Sequence, residues 1–206
     1  IHQHAYSLLL DTVGMPEVEY KAFSEYEAMA DKHEYVDSVR VTKGDKTSIA
    51  KALAIYSAFT EGLQLFSSFI ILLNFPRFGK MKGMGQIITY SIRDESLHVE
   101  AMTKLFREFI QENIDIWTDD FKGEIYQACR EMVALEDRFL DLVFEQGDIV
   151  GLTKKEMRKY IRYIADRRLL QLGLKPNYNV KDNPLNWLDD VLGVEHQNFF
   201  EGRATT

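Results

Sequence analysis

In the stretch IRDESLHVEAM, Ile92 to Met102, a glutamate and a histidine stand three residues apart on what reads as the inward face of a helix. At about 3.6 residues per turn, such positions share a face, so Glu95 and His98 can reach a common point. In helical bundles a Glu-x-x-His pair from each of two helices, with a carboxylate from each of two others, builds a dinuclear metal site. The chemistry needs that mixture. Bridging carboxylates offset the charge of two ions, and neutral imidazoles bind terminally and leave room for oxygen. Alone, one such pair is weak, because the same spacing arises by chance on solvated helix faces.

Further residues extend the pattern. Glu61 is the one acid inside the apolar run IYSAFTEGLQLFSSFI. A buried unpaired carboxylate is costly, so Glu61 is protonated, salt-bridged or neutralised by a cation, unless it sits partly exposed at a helix edge. His2 lies in the opening helical segment, where a glutamate three positions earlier would fall just before Ile1. Tyr6 follows His2 on the same face, about 6 Å further along at about 1.5 Å per residue. A phenol beside an oxygen-activating metal pair is a candidate for one-electron oxidation; the plain alternative is a core tyrosine. His4 faces away from His2, and His33 and His196 read as surface residues.

These side chains need long helices to hold them, and the chain supplies them. The periodicity predicts helices from the start to about Val13, from Pro16 to about Val39, from about Thr47 to Asn74, from about Met84 to Glu112 and from about Asp120 to Glu145. Pro76 and Gly79 are expected to stop the third of these. Thr153 and Glu156 have capping-box spacing at the head of a further helix, and NPLNWLDDVLG reads as a short last one. No strand-like alternation or repeat interrupts the series. The pattern predicts an all-α bundle with antiparallel neighbours and a single domain over 1–206. The opening IHQHAYSLLLDTVG is helical from its first residue with no capping residue, so more chain is expected upstream.

Composition narrows the role. With 206 residues, 46% hydrophobic, the chain can bury a substantial core. A formal charge of -7 argues against a broad attraction to nucleic acid. The single cysteine, Cys129, permits no internal disulfide and fits a reducing cytoplasm. The run LQLFSSFIILLNF is shorter than the roughly 20 residues of a membrane span, so a buried core helix is expected there.

The sequence resembles the small, radical-generating subunit of class I ribonucleotide reductase, within the ferritin-like bundles. The likeness rests on RDESLH, on Glu61 placed thirty-four residues before Glu95, on YIRYIADRRLLQLGL, and on the ending NPLNWLDDVLGVEHQNFFEGRAT. It implies that the chain is the C-terminal two-thirds or so of the family fold, with a docking tail from about residue 194. It implies metal-ligand roles for His2, Glu61, Glu95 and His98, a radical on Tyr6, and an electron path through Asp94, which would bond a metal-bound histidine. The cofactor it implies is a dinuclear centre, foremost diiron, with manganese–iron and dimanganese open, activated by dioxygen. Leu65, Phe66, Phe69 and Ile70 would line a dry pocket around it. The implied partners are a second copy of the chain and a large catalytic subunit that reduces ribonucleotides. Two family carboxylate ligands have no counterpart here; both would lie upstream of Ile1, in an upstream segment or a second polypeptide. The family's relay tyrosine would come near RATT. Two other readings stay open: a ferritin-like oxidase acting on a small molecule, and a non-enzymatic interaction protein.

Overall fold

The computed structural model describes residues 2–14, 21 and 25–191, with only the backbone at 2 and 3. Helices α1 (His2–Val13), α2 (Glu27–Ser38), α3 (Lys46–Arg77), α4 (Lys82–Glu112), α5 (Asp119–Val143) and α6 (Lys154–Gln171) follow in order. Among the described residues there is no strand, only an isolated bridge between Ile149 and Leu152. The all-α expectation therefore holds. The expected tail from about 194 lies outside the described residues, as do parts of the segment between α1 and α2.

α3 is the central element. It packs against α4, α5 and α6, while α2 lies on α5 and α1 on α4. Its Phe59, Leu63 and Ile70 meet Ile88 and Phe106 of α4, Ile125, Met132 and Leu140 of α5, and Met157 and Ile161 of α6 in one core, all fully buried. Each such side chain contributes about 1.5–3 kcal/mol of transfer free energy. As a 32-residue helix, α3 is long and apolar enough to cross a membrane by length and composition. However, 67% of its most apolar window is buried inside the protein, which fits the expected core helix.

Three features differ from the expected pattern, the first being that α2, expected from Pro16, begins at Glu27. Pro76 does not stop α3: it sits inside the last turn, and the helix ends at Arg77, with Gly79 beyond it at φ +73°. The pyrrolidine ring instead packs on Gly85, where a Cβ would come within 2.5 Å of Pro76 Cγ. More important for function, Ala54–Gln64 is wound as a π-helix. The wider turn frees carbonyls from the ordinary ladder, and side-chain hydroxyls answer them. Ser57 donates to the Leu53 carbonyl at 2.5 Å, Thr60 to that of Ile55 at 3.2 Å and Ser67 to that of Gln64 at 3.0 Å.

The expected capping box is present. Thr153 Oγ1 accepts from Glu156 N at 3.1 Å, and Glu156 Oε2 accepts from Thr153 N at 2.9 Å. Thr153→Ala should cost about 1 kcal/mol in urea unfolding, the usual loss when a threonine cap is removed.

Candidate metal centre

Two helices create the site. On α4 the buried stripe runs Ile88, Ile92, Val99, Phe106, Ile110. Position 95 falls in that stripe between Ile92 and Val99, and a glutamate occupies it, its side chain only 14% exposed. His98 stands one turn later, with Nδ1 3.1 Å from Glu95 Oε2. The π segment of α3 brings the third group: one ligand atom each of Glu61, Glu95 and His98 lies within 4.8 Å of the other two.

The electrostatics suit a cation. Burial pushes the Glu61 carboxyl up, the neighbouring Glu95 charge pushes it the same way, and His98 pulls it down. Two carboxylates held this close repel, and a cation between them removes the penalty. The donor set, two carboxylates and an imidazole, fits iron or manganese.

Tyr6 of α1 lies on the same side of α4, its hydroxyl 2.8 Å from Ser91 Oγ. Either hydroxyl can donate in this bond, and Ser91 also has the Ile87 carbonyl within reach of its proton at 3.1 Å. Burial raises the Tyr6 phenol, the Ser91 bond lowers it and the Glu95 charge raises it, with burial prevailing. Tyr6 thus stays a neutral phenol near the acidic cluster.

Other expected site residues stand differently. The His2 side chain lies outside the described residues, so its ligand role has no geometry here. Asp94 is not one of the converging groups, and its carboxylate faces Arg93 at 3.4 Å. Of the expected lining, Phe66, Phe69 and Ile70 are buried in the core against which Tyr6 packs, and Leu65 is 37% exposed. A cavity of about 270 Å³ does adjoin the cluster, but Tyr56, Ser57, Glu61, His98, Ala101 and Met102 line it. Nor is the pocket closed among the described residues, since the His98 side chain is 54% exposed. The reason is positional. His98 follows Glu95 by three residues, which turns it towards the edge of the buried stripe.

Periodicity gave no sign of the π winding or of the Tyr6–Ser91 bond. The mid-helix Gly62 beside Glu61 was the available signal, because glycine inside a helix disfavours it by about 0.5–1 kcal/mol and wants a reason.

Comparison with known proteins agrees with this geometry. A family model described as ribonucleotide reductase, small chain, matches residues 1–184. A protein of Invertebrate iridescent virus 6, whose name is "Probable ribonucleoside-diphosphate reductase small subunit", is 42% identical over all of this chain and 67% of its own length. The ribonucleoside-diphosphate reductase subunit beta of Chlamydia pneumoniae is 30% identical, matching all of this chain and 62% of its own. The solved ribonucleotide reductase R2 subunit from Clostridium botulinum superposes with a TM-score of 0.85 at 27% identity, covering 93% of this chain and 62% of that one. The chain therefore spans roughly three-fifths to two-thirds of the length of these relatives.

Proposed function

The chain belongs to the ribonucleotide reductase small-chain family, and on that premise we propose that it generates a protein radical for a large catalytic subunit that reduces ribonucleotides to deoxyribonucleotides. The observation that carries the reading is the convergence of Glu61, Glu95 and His98 beside Tyr6. Those three residues, with His2, would supply four of the ligands of a dinuclear centre, foremost diiron, with manganese–iron and dimanganese as variants of the same donor chemistry. When bound, the metal pair supplies dioxygen activation and the power to oxidise a phenol.

The chain's own residues do the rest. Glu61 and Glu95 would bind through carboxylates whose mutual repulsion a cation relieves, and metal must displace the proton that the same repulsion favours on Glu61. Ser91 fixes the Tyr6 hydroxyl through their shared hydrogen bond. Because Tyr6 is a neutral phenol, its loss of an electron is coupled to loss of the phenolic proton. Asp94 adjoins Glu95 on α4 and carries the electron path towards the large subunit. The protein acts in the cytoplasm as a homodimer, for which Leu8 and Val13 on α1, 52% and 48% exposed, offer apolar surface.

Glu61→Ala tests the site. Metal analysis after loading with Fe²⁺ or Mn²⁺ should show dinuclear occupancy in the wild type and its loss in the variant; full occupancy in the variant removes Glu61 from the ligand set. One observation favours the second reading, a dimetal oxidase of small molecules: the cavity beside Glu61 and His98. Turnover of a small substrate without any large subunit would select it.

A further inference from the structure

Arg168 on α6 is buried, 8% exposed, and makes a contact that the site as described leaves unused. Its Nε donates to the Gly62 carbonyl at 2.8 Å, its Nη1 donates to Gln171 Oε1 at 2.9 Å, and its guanidinium lies 5.0 Å from the Phe66 ring centre. The partners of this buried cation are thus a backbone carbonyl, an amide oxygen and an aromatic face. Burial pulls the guanidinium down to about 10, so it remains charged at neutral pH. Burying a charge against such partners is costly, which asks what the contact secures.

The second observation is Gly62 itself. A Cβ there would fall 2.6 Å from Arg168 Nε and 3.1 Å from the Ser57 carbonyl oxygen. The glycine therefore makes room for the guanidinium inside the π segment, on the residue that follows Glu61. The π register is a local choice. A return to α winding would shift the segment by one residue and swing Glu61 by about 100° around the helix.

Resting on the reading of Glu61 as a metal ligand, we propose that Arg168 is a positioning residue. Through the Gly62 carbonyl it holds the π register of α3 and so aims the Glu61 carboxylate at Glu95 and His98. The charges that move the Glu61 carboxyl are those of Glu95 and His98, so the influence of Arg168 runs through the backbone.

The test is a Mn²⁺ titration followed by EPR on the full chain, at a temperature where circular dichroism shows every variant folded. Arg168→Met should weaken Mn²⁺ binding by about 10- to 100-fold, the usual range when a residue supporting a ligand is lost. Arg168→Lys, which keeps a donor, should restore part of it. Gly62→Ala alone should weaken binding to a similar degree by displacing the guanidinium. Combined with Arg168→Met it should add little, because the two changes break one interaction. Asp166→Asn is the control on the same helix. Asp166 accepts the backbone N–H groups of Asn177, Tyr178 and Val180 at 2.7–2.8 Å, so this change should lower stability and leave Mn²⁺ affinity intact. Wild-type affinity in Arg168→Met overturns the inference alone. Failure of the wild type to take up Mn²⁺ overturns the reading of the site, and the inference with it.

Discussion

Tyr6→Phe should abolish the radical signal while leaving the metal content unchanged. The substitution removes one oxygen atom and little else. The ring of Tyr6 packs at the margin of the core, and phenylalanine fills the same space. Ser91 keeps the Ile87 carbonyl as an acceptor at 3.1 Å, so the stability loss stays near about 1 kcal/mol, that of one hydrogen bond. The converging ligand groups sit on α3 and α4, and none of them bonds the Tyr6 hydroxyl. Metal loading and radical formation should therefore separate: metal analysis unchanged, and the EPR signal of an oxidised phenol gone after exposure of the loaded protein to oxygen. A signal that persists unchanged places the unpaired electron away from Tyr6, on the metal pair itself.

The separation shows which parts of the site the amino-acid pattern could reveal. Glu95 and His98 were readable because their spacing is a property of one helix, and a glutamate at position 95 breaks an otherwise apolar stripe. Glu61 was readable for a similar reason, as an acid in a segment with no other charge. That the three atoms meet was less accessible, since it depends on the π winding of Ala54–Gln64. That winding is stabilised from outside its own sequence, by Arg168 more than a hundred positions away, and by hydroxyls whose partners are carbonyls in the same helix. Most helix positions followed from periodicity to within a few residues, but the second helix, expected from Pro16, begins only at Glu27; the Thr153 cap was legible from two residues alone. Pro76 misled because a proline inside the final turn loses only one late hydrogen bond, and the packing of its ring on Gly85 offsets that loss. The exposure of His98 was illegible for another reason. Helix spacing says which way a side chain leaves the axis and nothing about what covers it.

The largest stability effect is expected away from the metal cluster, at Lys32. Its Nζ lies 2.5 Å from Glu136 Oε1, and the Glu136 side chain has no solvent exposure. Ser67, itself buried, donates to Glu136 Oε2. The Lys32 ammonium also sits 4.4 Å from the centre of the Phe139 ring. α2 contributes no fully buried residue of its own, so this ion pair anchors it to α5 beside the partly buried Tyr35 and Val36. A second link, Arg138 to Asp31 at 2.8 Å, is more than half exposed on the arginine side and is worth no more than about 1 kcal/mol. Lys32→Met removes the only cation paired with Glu136 among the described residues and leaves a buried carboxylate with a single hydroxyl. Breaking a buried pair in this way costs about 3–5 kcal/mol, a large share of the roughly 5–15 kcal/mol that holds a domain folded. The pH dependence gives the diagnosis. Burial already pushes Glu136 above the usual carboxyl range, against the lowering effects of Lys32 and Ser67 and with a small push from Asp137. A carboxyl raised in the folded state contributes fully below its unfolded value, and that contribution is lost as pH rises through the folded one. Without Lys32 the folded value climbs further, so the loss should be greater at about pH 8 than at about pH 5. Adding Glu136→Gln to Lys32→Met removes the charge, and urea unfolding at the two pH values should then show much of the stability restored and the pH slope gone. A loss below about 1 kcal/mol in Lys32→Met, equal at both pH values, would mean that solvent rather than Lys32 neutralises Glu136.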